Sequence, residues 1–247
     1  MEGEIELQET QIYKNFKVNL TNDNKILIVT FDRPPVNALT QESYEELSEI
    51  VEYVNAHNEI CAVVLKAEGK VFCGGADIKV LATYTPADDV IRRPKLRKVW
   101  EDLYHCSVPV ICELNGAAVG MGAVLVGCSD VIISSEKAYF AIPEINIGLV
   151  GGAKGLSRIL PYQKIRTMAL TGMKCTAQEA YQLGAIEKIV DESELSRTVM
   201  EYAETIANKG YKVVRKWKEA LLLTEQVGIK EGIMLEQTLN LDLAKVK

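Results

Sequence analysis

The chain has 247 residues, 48% of them apolar and 25% charged, with a formal charge of −6. These proportions exclude a disordered or fibrous protein, and an acidic chain with scattered lysines and arginines is no nonspecific nucleic-acid binder. The length allows one large domain or two small ones.

Six cysteines form no CxxC pair, and His57 and His105 are too few to complete a zinc set. They read as reduced thiols, and no metal is expected. The start of the chain, with Glu2, Glu4, Glu6 and Glu9, lacks the basic opening and apolar stretch of a signal peptide. No apolar run approaches the roughly 20 residues that cross a bilayer. A cytoplasmic protein with no membrane partner is therefore expected.

In chain order, residues 16–20 and 25–31 flank Asn22, Asp23 and Asn24 and read as a β-hairpin. Arg33-Pro34-Pro35 leads out of the sheet. Leu47, Ile50, Val51 and Val54 recur at helical spacing, which predicts an amphipathic helix over 40–56. A buried strand follows over 61–65. Residues 81–94 read as a polar, mobile loop. Leu96, Val99, Trp100 and Leu103 mark a second helix, and 108–114 a second buried strand that runs into a glycine-rich stretch. Another strand is expected over 130–134. Buried strands alternating with amphipathic helices predict a mostly parallel α/β arrangement, because parallel strands need long crossovers.

From about residue 156 the pattern is nearly all helical. Thr176-x-x-Glu179 and Asp191-x-x-Glu194 stand as capping signals, with one strand-like piece over 186–190. Without a repeat or linker, the expected division is an α/β core at 1–190 and a packed helical extension at 191–247. That extension either serves self-association or simply caps the core.

Two glycine turns carry the chemical interest: Phe72-Cys73-Gly74-Gly75-Ala76-Asp77, and residues 115–122 with Gly116, Gly120 and Gly122. Each is expected to follow a strand and precede a helix, where glycine permits a sharp turn and the helix start offers unpaired N–H groups. Side by side, two such turns aim a pair of donors at one oxygen; either turn alone reads equally as tight packing. Neither spells GxGxxG, residues 148–154 lack the glycine a P-loop needs before its lysine, and no GxSxG elbow occurs. A dehydrogenase, an NTPase and a serine hydrolase are thereby disfavoured.

FCGGADIK at 72–79, the NGxxxGxG core within 109–130 and FAIPEINIG at 140–148 resemble consecutive signatures of the enoyl-CoA hydratase/isomerase (crotonase) superfamily. The resemblance extends through DRPPVNAL at 32–39, LTG at 170–172 and AQEAYQLGAIEKIV at 177–190. It implies a crotonase-like α/β fold, with stacked β-sheets flanked by helices and a C-terminal helical trimerisation region. It also implies an acyl-CoA thioester substrate, with coenzyme A arriving as part of that substrate and no permanently bound cofactor, and a homotrimer or dimer of trimers.

Carried over by position, the oxyanion-hole donors are the backbone N–H groups of Ala76 and Met121, and the acid/base is Glu144. The substrate-binding positions are Ala76, Asp77, Ile78, Lys79, Gly120, Met121, Val124 and Gly152. Three departures are visible. Met121 stands where relatives usually have glycine. Val124 stands where hydratases have a first catalytic glutamate, leaving only Glu144. The chain ends about one helix before the family usually does, which bears on its grip on the coenzyme tail. Hydration needs a coordinated acid and base, so one carboxylate beside an oxyanion hole fits proton transfer between two carbons better. Apolar neighbours such as Ile142 and Val124 are expected to raise the pKa of Glu144. A CoA-thioester decarboxylase or hydrolase of the same superfamily, and a non-catalytic scaffold with this fold, are the alternatives.

Overall fold

The computed structural model describes residues 7–21 and 23–244. Asn22, the first turn residue of the expected hairpin, lies outside them. β1 (Leu7–Ile12), β2 (Phe16–Thr21) and β3 (Ile26–Phe31) form an antiparallel meander, with Phe16 opposite Phe31 and Leu20 opposite Leu27. The expected hairpin is therefore present. Its turn is closed by Thr21, whose hydroxyl donates to Asp23 and accepts from the Ile26 N–H.

α1 (Gln41–Ala56) begins at Thr40, which caps it together with Ser43, and buries Leu47, Ile50, Val51 and Val54 as the spacing predicts. β4 (Ala62–Ala67) lies parallel to β3. The short α2 (Ile78–Leu81) leads to α3 (Pro86–Tyr104). Most of the segment expected as a loop over 81–94 is thus helical. Thr85 accepts from the Asp88 N–H while Asp88 reaches back to the Thr85 N–H, and Pro86 takes the first helical position, where a missing N–H costs nothing. Pro94 then sits inside the helix.

β5 (Val110–Leu114), the short β6 (Ala117–Val119), α4 (Met121–Gly127), β7 (Val131–Ser135) and β8 (Tyr139–Ala141) follow. A 3-10 turn over Pro143–Ile147 precedes α5 (Ala153–Leu156) and α6 (Tyr162–Thr171). β9 (Cys175–Thr176) leads into α7 (Ala177–Gln182), capped by Thr176 and Glu179 as expected. β10 (Lys188–Val190), α8 (Glu192–Ala207), α9 (Tyr211–Thr224) and α10 (Ile229–Ala244) complete the described chain. Asp191 takes the N-cap position of α8, but its side chain makes no capping bond, contrary to the reading of the sequence.

The strands build a seven-stranded sheet, ordered β1-β2-β3-β4-β5-β7-β10, and a three-stranded sheet, β6-β8-β9. From β3 to β10 the large sheet is parallel. Its strands are buried on both faces. Leu27, Val29, Val63, Leu65, Val110 and Cys112 face the main core with α1 and α3, while Ile26, Ile28, Val64, Ile111 and Ile133 face α8. Leu195, Val199, Ala203 and Ala207, spaced by four along α8, cover that second face. The first helix of the 191–247 segment is therefore packed on this chain's own sheet.

Candidate active site

The segment from Cys73 to Asp77 threads between two neighbours. On one side Gly74 N donates to Val36 O, Leu39 N to Gly75 O, and Asp77 N to Leu39 O. On the other, Cys73 N donates to Ala117 O and accepts at its carbonyl from Val119 N, a short parallel bridge to β6. These bonds leave the Ala76 N–H without a partner among the described residues. The Met121 N–H, at the first position of α4, is likewise unpartnered, as the opening N–H groups of a helix are.

Gly75 brings the two turns together. A Cβ placed there would lie 2.6 Å from Val119 O and 3.5 Å from Met121 N, and its φ of +84° is one that side-chain-bearing residues rarely adopt. Only glycine at 75 lets the first turn pack this closely on Val119 O and the start of α4. The Met121 side chain is buried and belongs to the main apolar core, so replacing the family's usual glycine leaves the donor in place.

Glu144 stands next to this pair. Gly120 N donates to Ala141 O, which ties the second turn to the end of β8 just before the 3-10 turn carrying Glu144. A Cβ at Gly120 would come within 2.7 Å of Glu144 Oε1, and one at Gly152 within 3.8 Å. The carboxylate therefore rests against bare backbone on two sides. Its Oε2 is buried with no hydrogen-bond partner among the described residues. Burial raises the Glu144 pKa above its ordinary 4.5, opposed only by its own main-chain N–H. The direction is the one expected from apolar neighbours.

Val124 lies at the position of the missing first carboxylate. It is buried, and a Cβ on Gly155 would fall 2.5 Å from its Cγ1, so its side chain is pressed against α5. A second close approach, Gly127 against the Gly155 carbonyl, locks α4 onto α5 and so holds Gly152 beside Glu144. Glu144 and Gly152 open onto a cleft of about 470 Å³ whose wall is mainly apolar, from Ile142 to Leu170. The remaining expected positions lie across the first turn. Asp77 caps α2, accepting from the Lys79 and Val80 amides, while Ile78 and Lys79 are exposed. Cys73, buried against Gly122, has its thiol pushed up to about 12 by burial, which suits a filler and not a nucleophile.

Two residues that support the first turn were not singled out from the sequence. Arg33 donates to Ala38 O and to the Asp77 carboxylate at 2.8 Å. Burial pushes the Asp77 pKa up, but Arg33 and the helix-start amides outweigh it and hold the carboxyl below its ordinary value. Asn37, buried at φ +50°, donates to Glu68 O and Val71 O and accepts from the Arg33 N–H. Its position inside DRPPVNAL was the available signal, since Asn tolerates left-handed backbone and can bond several main-chain groups at once. Among the described residues no group of His, Cys, Asp and Glu is placed to hold a metal ion, and no helix is long and apolar enough to cross a membrane. All six cysteines are free and buried.

A family model described as enoyl-CoA hydratase/isomerase matches residues 21–246. The chain is 36% identical over 229 residues to the (7aS)-7a-methyl-1,5-dioxo-2,3,5,6,7,7a-hexahydro-1H-indene-carboxyl-CoA hydrolase of Rhodococcus jostii (strain RHA1), covering 92% of this chain and 89% of that one. It is 32% identical over 230 residues to a probable mitochondrial enoyl-CoA hydratase of Dictyostelium discoideum, covering 91% and 82%. The solved structure of an enoyl-CoA hydratase from Bacillus anthracis superposes with a TM-score of 0.89 at 28% identity, covering 95% and 92%. The stacked sheets and flanking helices are thus the crotonase fold that the sequence implied. On the family model and these relatives, the chain belongs to the enoyl-CoA hydratase/isomerase family.

Proposed function

We propose that the protein is an acyl-CoA enzyme in which the Ala76 and Met121 amides hold a thioester oxygen while Glu144 moves a proton at the neighbouring carbon. The observation that carries this reading is the buried Oε2 of Glu144 beside two main-chain donors, all three without a partner among the described residues. A buried carboxylate oxygen without a partner costs stability, and its retention next to free donors favours a catalytic role.

With a 3-enoyl thioester, Glu144 takes a proton from C2, and the C–H electron pair moves into the C1–C2 bond as the carbonyl pair shifts onto oxygen. The two amides stabilise that oxyanion, and each such donor is worth roughly 10²–10³ in rate. Glu144 then returns the proton at C4, the double bond comes to rest between C2 and C3, and the carbonyl re-forms. One carboxylate suffices because the same group takes and gives the proton. Val124, packed on Gly155, offers no second acid or base for adding water.

Hydrolysis is the second reading, favoured by the 36% identical relative named a CoA hydrolase. There Glu144 takes a proton from a water that attacks the thioester carbon, the hole holds the resulting oxyanion, and its collapse breaks the C–S bond as Glu144 returns the proton to the departing coenzyme thiolate. Three substrates separate the readings: a 3-enoyl-CoA for isomerisation, crotonyl-CoA for hydration, and release of free acid for hydrolysis. Isomerisation is expected to dominate and to fall by about 10²–10⁴ in Glu144→Gln. Hydration outpacing isomerisation, or full turnover in that variant, overturns the proposal. A fold without turnover or CoA binding leaves the scaffold.

Self-association through 191–247 is part of the same reading. Trp217, Leu221, Ile229, Ile233 and Leu241 of α9 and α10 are exposed, which supports a homotrimer or dimer of trimers. Light scattering on the full chain tests it: a monomer overturns it.

A further inference from the structure

The cleft beside Glu144 has an uneven chemistry. Its side-chain wall is apolar save for Glu144, Lys154 and Tyr162. Glu144 is assigned to the proton transfer, and the Tyr162 ring has Arg166 across its face at 5.9 Å. Lys154 is different, because its ammonium makes no ion pair or hydrogen bond among the described residues. Acids outnumber bases in the chain by 34 to 28, and Lys164, Lys216 and Lys218 each have a carboxylate partner. Lys154 is exposed like most lysines, yet it also lines an apolar cleft, which sets it apart from lysines on open surface.

Lys154 is also no counter-ion for Glu144. Only burial and Glu144's own amide bear on that carboxyl's ionisation, with no cation contributing. No ion pair joins the two side chains, although both line the cleft. The anchorage of the lysine is nonetheless firm. Lys154 follows Gly152 by two residues, and a Cβ on Gly152 would lie 2.8 Å from Ile142 Cγ2. Gly155, the next residue, is pressed onto Val124. The backbone carrying the lysine is thus fixed on both sides, and only its flexible stem is left to adjust.

We propose that Lys154 selects acyl groups ending in an anion: the substrate's acyl chain carries a second carboxylate at its far end, which pairs with Lys154 while the apolar wall takes the intervening carbons. This rests on the acyl-CoA reading above. Lys154 is exposed, so its ammonium keeps its water when a methyl-ended chain binds, whereas a carboxylate-ended chain gives it a charge-assisted hydrogen bond. Discrimination by such a bond at an exposed ammonium is about threefold to fivefold.

Binding of two unreactive thioesters of equal length, adipyl-CoA and hexanoyl-CoA, measured by calorimetry on the full chain, tests the inference without relying on turnover. The intact protein is expected to bind adipyl-CoA about threefold to fivefold more tightly. Lys154→Met should erase that preference chiefly by weakening adipyl-CoA, Lys154→Glu should invert it, and Lys154→Arg should restore most of it. Equal weakening of both ligands in Lys154→Met places the lysine on the coenzyme's phosphates and overturns the inference. So does a wild-type preference for hexanoyl-CoA. If neither thioester binds, the acyl-CoA reading itself falls, an outcome distinct from binding without preference.

Discussion

Asp130 and Glu144 are carboxylates set back from solvent in the same protein, and their surroundings are opposite. Asp130 accepts from Lys218 through both oxygens at 2.8 and 2.7 Å, from Arg158 at 3.0 Å and from the Val110 amide at 2.8 Å. Arg158 in turn donates to Cys128 O and Ser129 O and pairs with Glu225, which also accepts from the Tyr104 hydroxyl. That cluster joins α9 and the segment after α5 to the starts of β5 and β7, and its acid is saturated with donors. Glu144 has one oxygen against bare glycine backbone and the other with no partner. The first arrangement fixes a charge in place; the second leaves one poised to react. Depth alone does not distinguish a structural acid from a catalytic one, whereas the inventory of donors around each does.

Exchanging each acid for its neutral amide is the sharpest way to break the comparison. Glu144→Gln should lower kcat by roughly 10²–10⁴ and leave the folded protein intact. Asp130→Asn should do the reverse. It strands the buried Lys218 ammonium and should cost roughly 3–5 kcal/mol, seen as a fall of about 10 °C in Tm, with residual activity tracking the folded fraction. If Asp130→Asn proves as stable as wild type, or Glu144→Gln melts far earlier, the assignment of roles is wrong.

A smaller effect is expected from Gly120→Ala. The new methyl would stand 2.7 Å from Glu144 Oε1 at a φ of +53°. Activity should drop about 10–100-fold, with a loss of roughly 1–2 kcal/mol in stability by denaturant titration. Unchanged kinetics would mean that Glu144 does not act from where it rests.

The smallest effect concerns pH and sharpens the picture further. Because burial raises the Glu144 pKa, the acid limb of kcat/KM should fall at a higher pH than an ordinary carboxylate gives, as the base is protonated. The protonated form is the one the fold favours. Its stabilising contribution is complete below about 4.5 and is lost as pH rises through the raised value. Glu144→Gln should therefore melt about 1–2 °C above wild type at neutral pH, with the gap closing in acid. A gap that widens in acid contradicts the direction of the shift.

Local pattern made much of this legible beforehand. The α1 periodicity, the Thr176 cap, the parallel core strands and both glycine turns stand in the sequence because each depends on residues a few positions apart. The start of α3 escaped, although Thr85-Pro86-x-Asp88 is a local signal, because Pro94 and the charged run around it disguise the helical period. The Arg33 to Asp77 and Lys218 to Asp130 pairings escaped for a different reason. Their partners are 44 and 88 residues apart, and only the folded chain brings them together. The lone oxygen of Glu144 is of that kind as well, since a missing partner is a property of the surroundings and not of any motif.

The way α8 lies across the sheet has a consequence for handling the protein. It covers a row formed by Ile26, Ile28, Val64, Ile111 and Ile133, contributed by four strands that precede it. A protease nick or premature stop upstream of Glu192 would strip that cover and leave a broad, greasy β-surface open to self-adhesion. Fragments trimmed to the first 190 residues should accordingly collect in the pellet, while those that keep the helix stay in the supernatant.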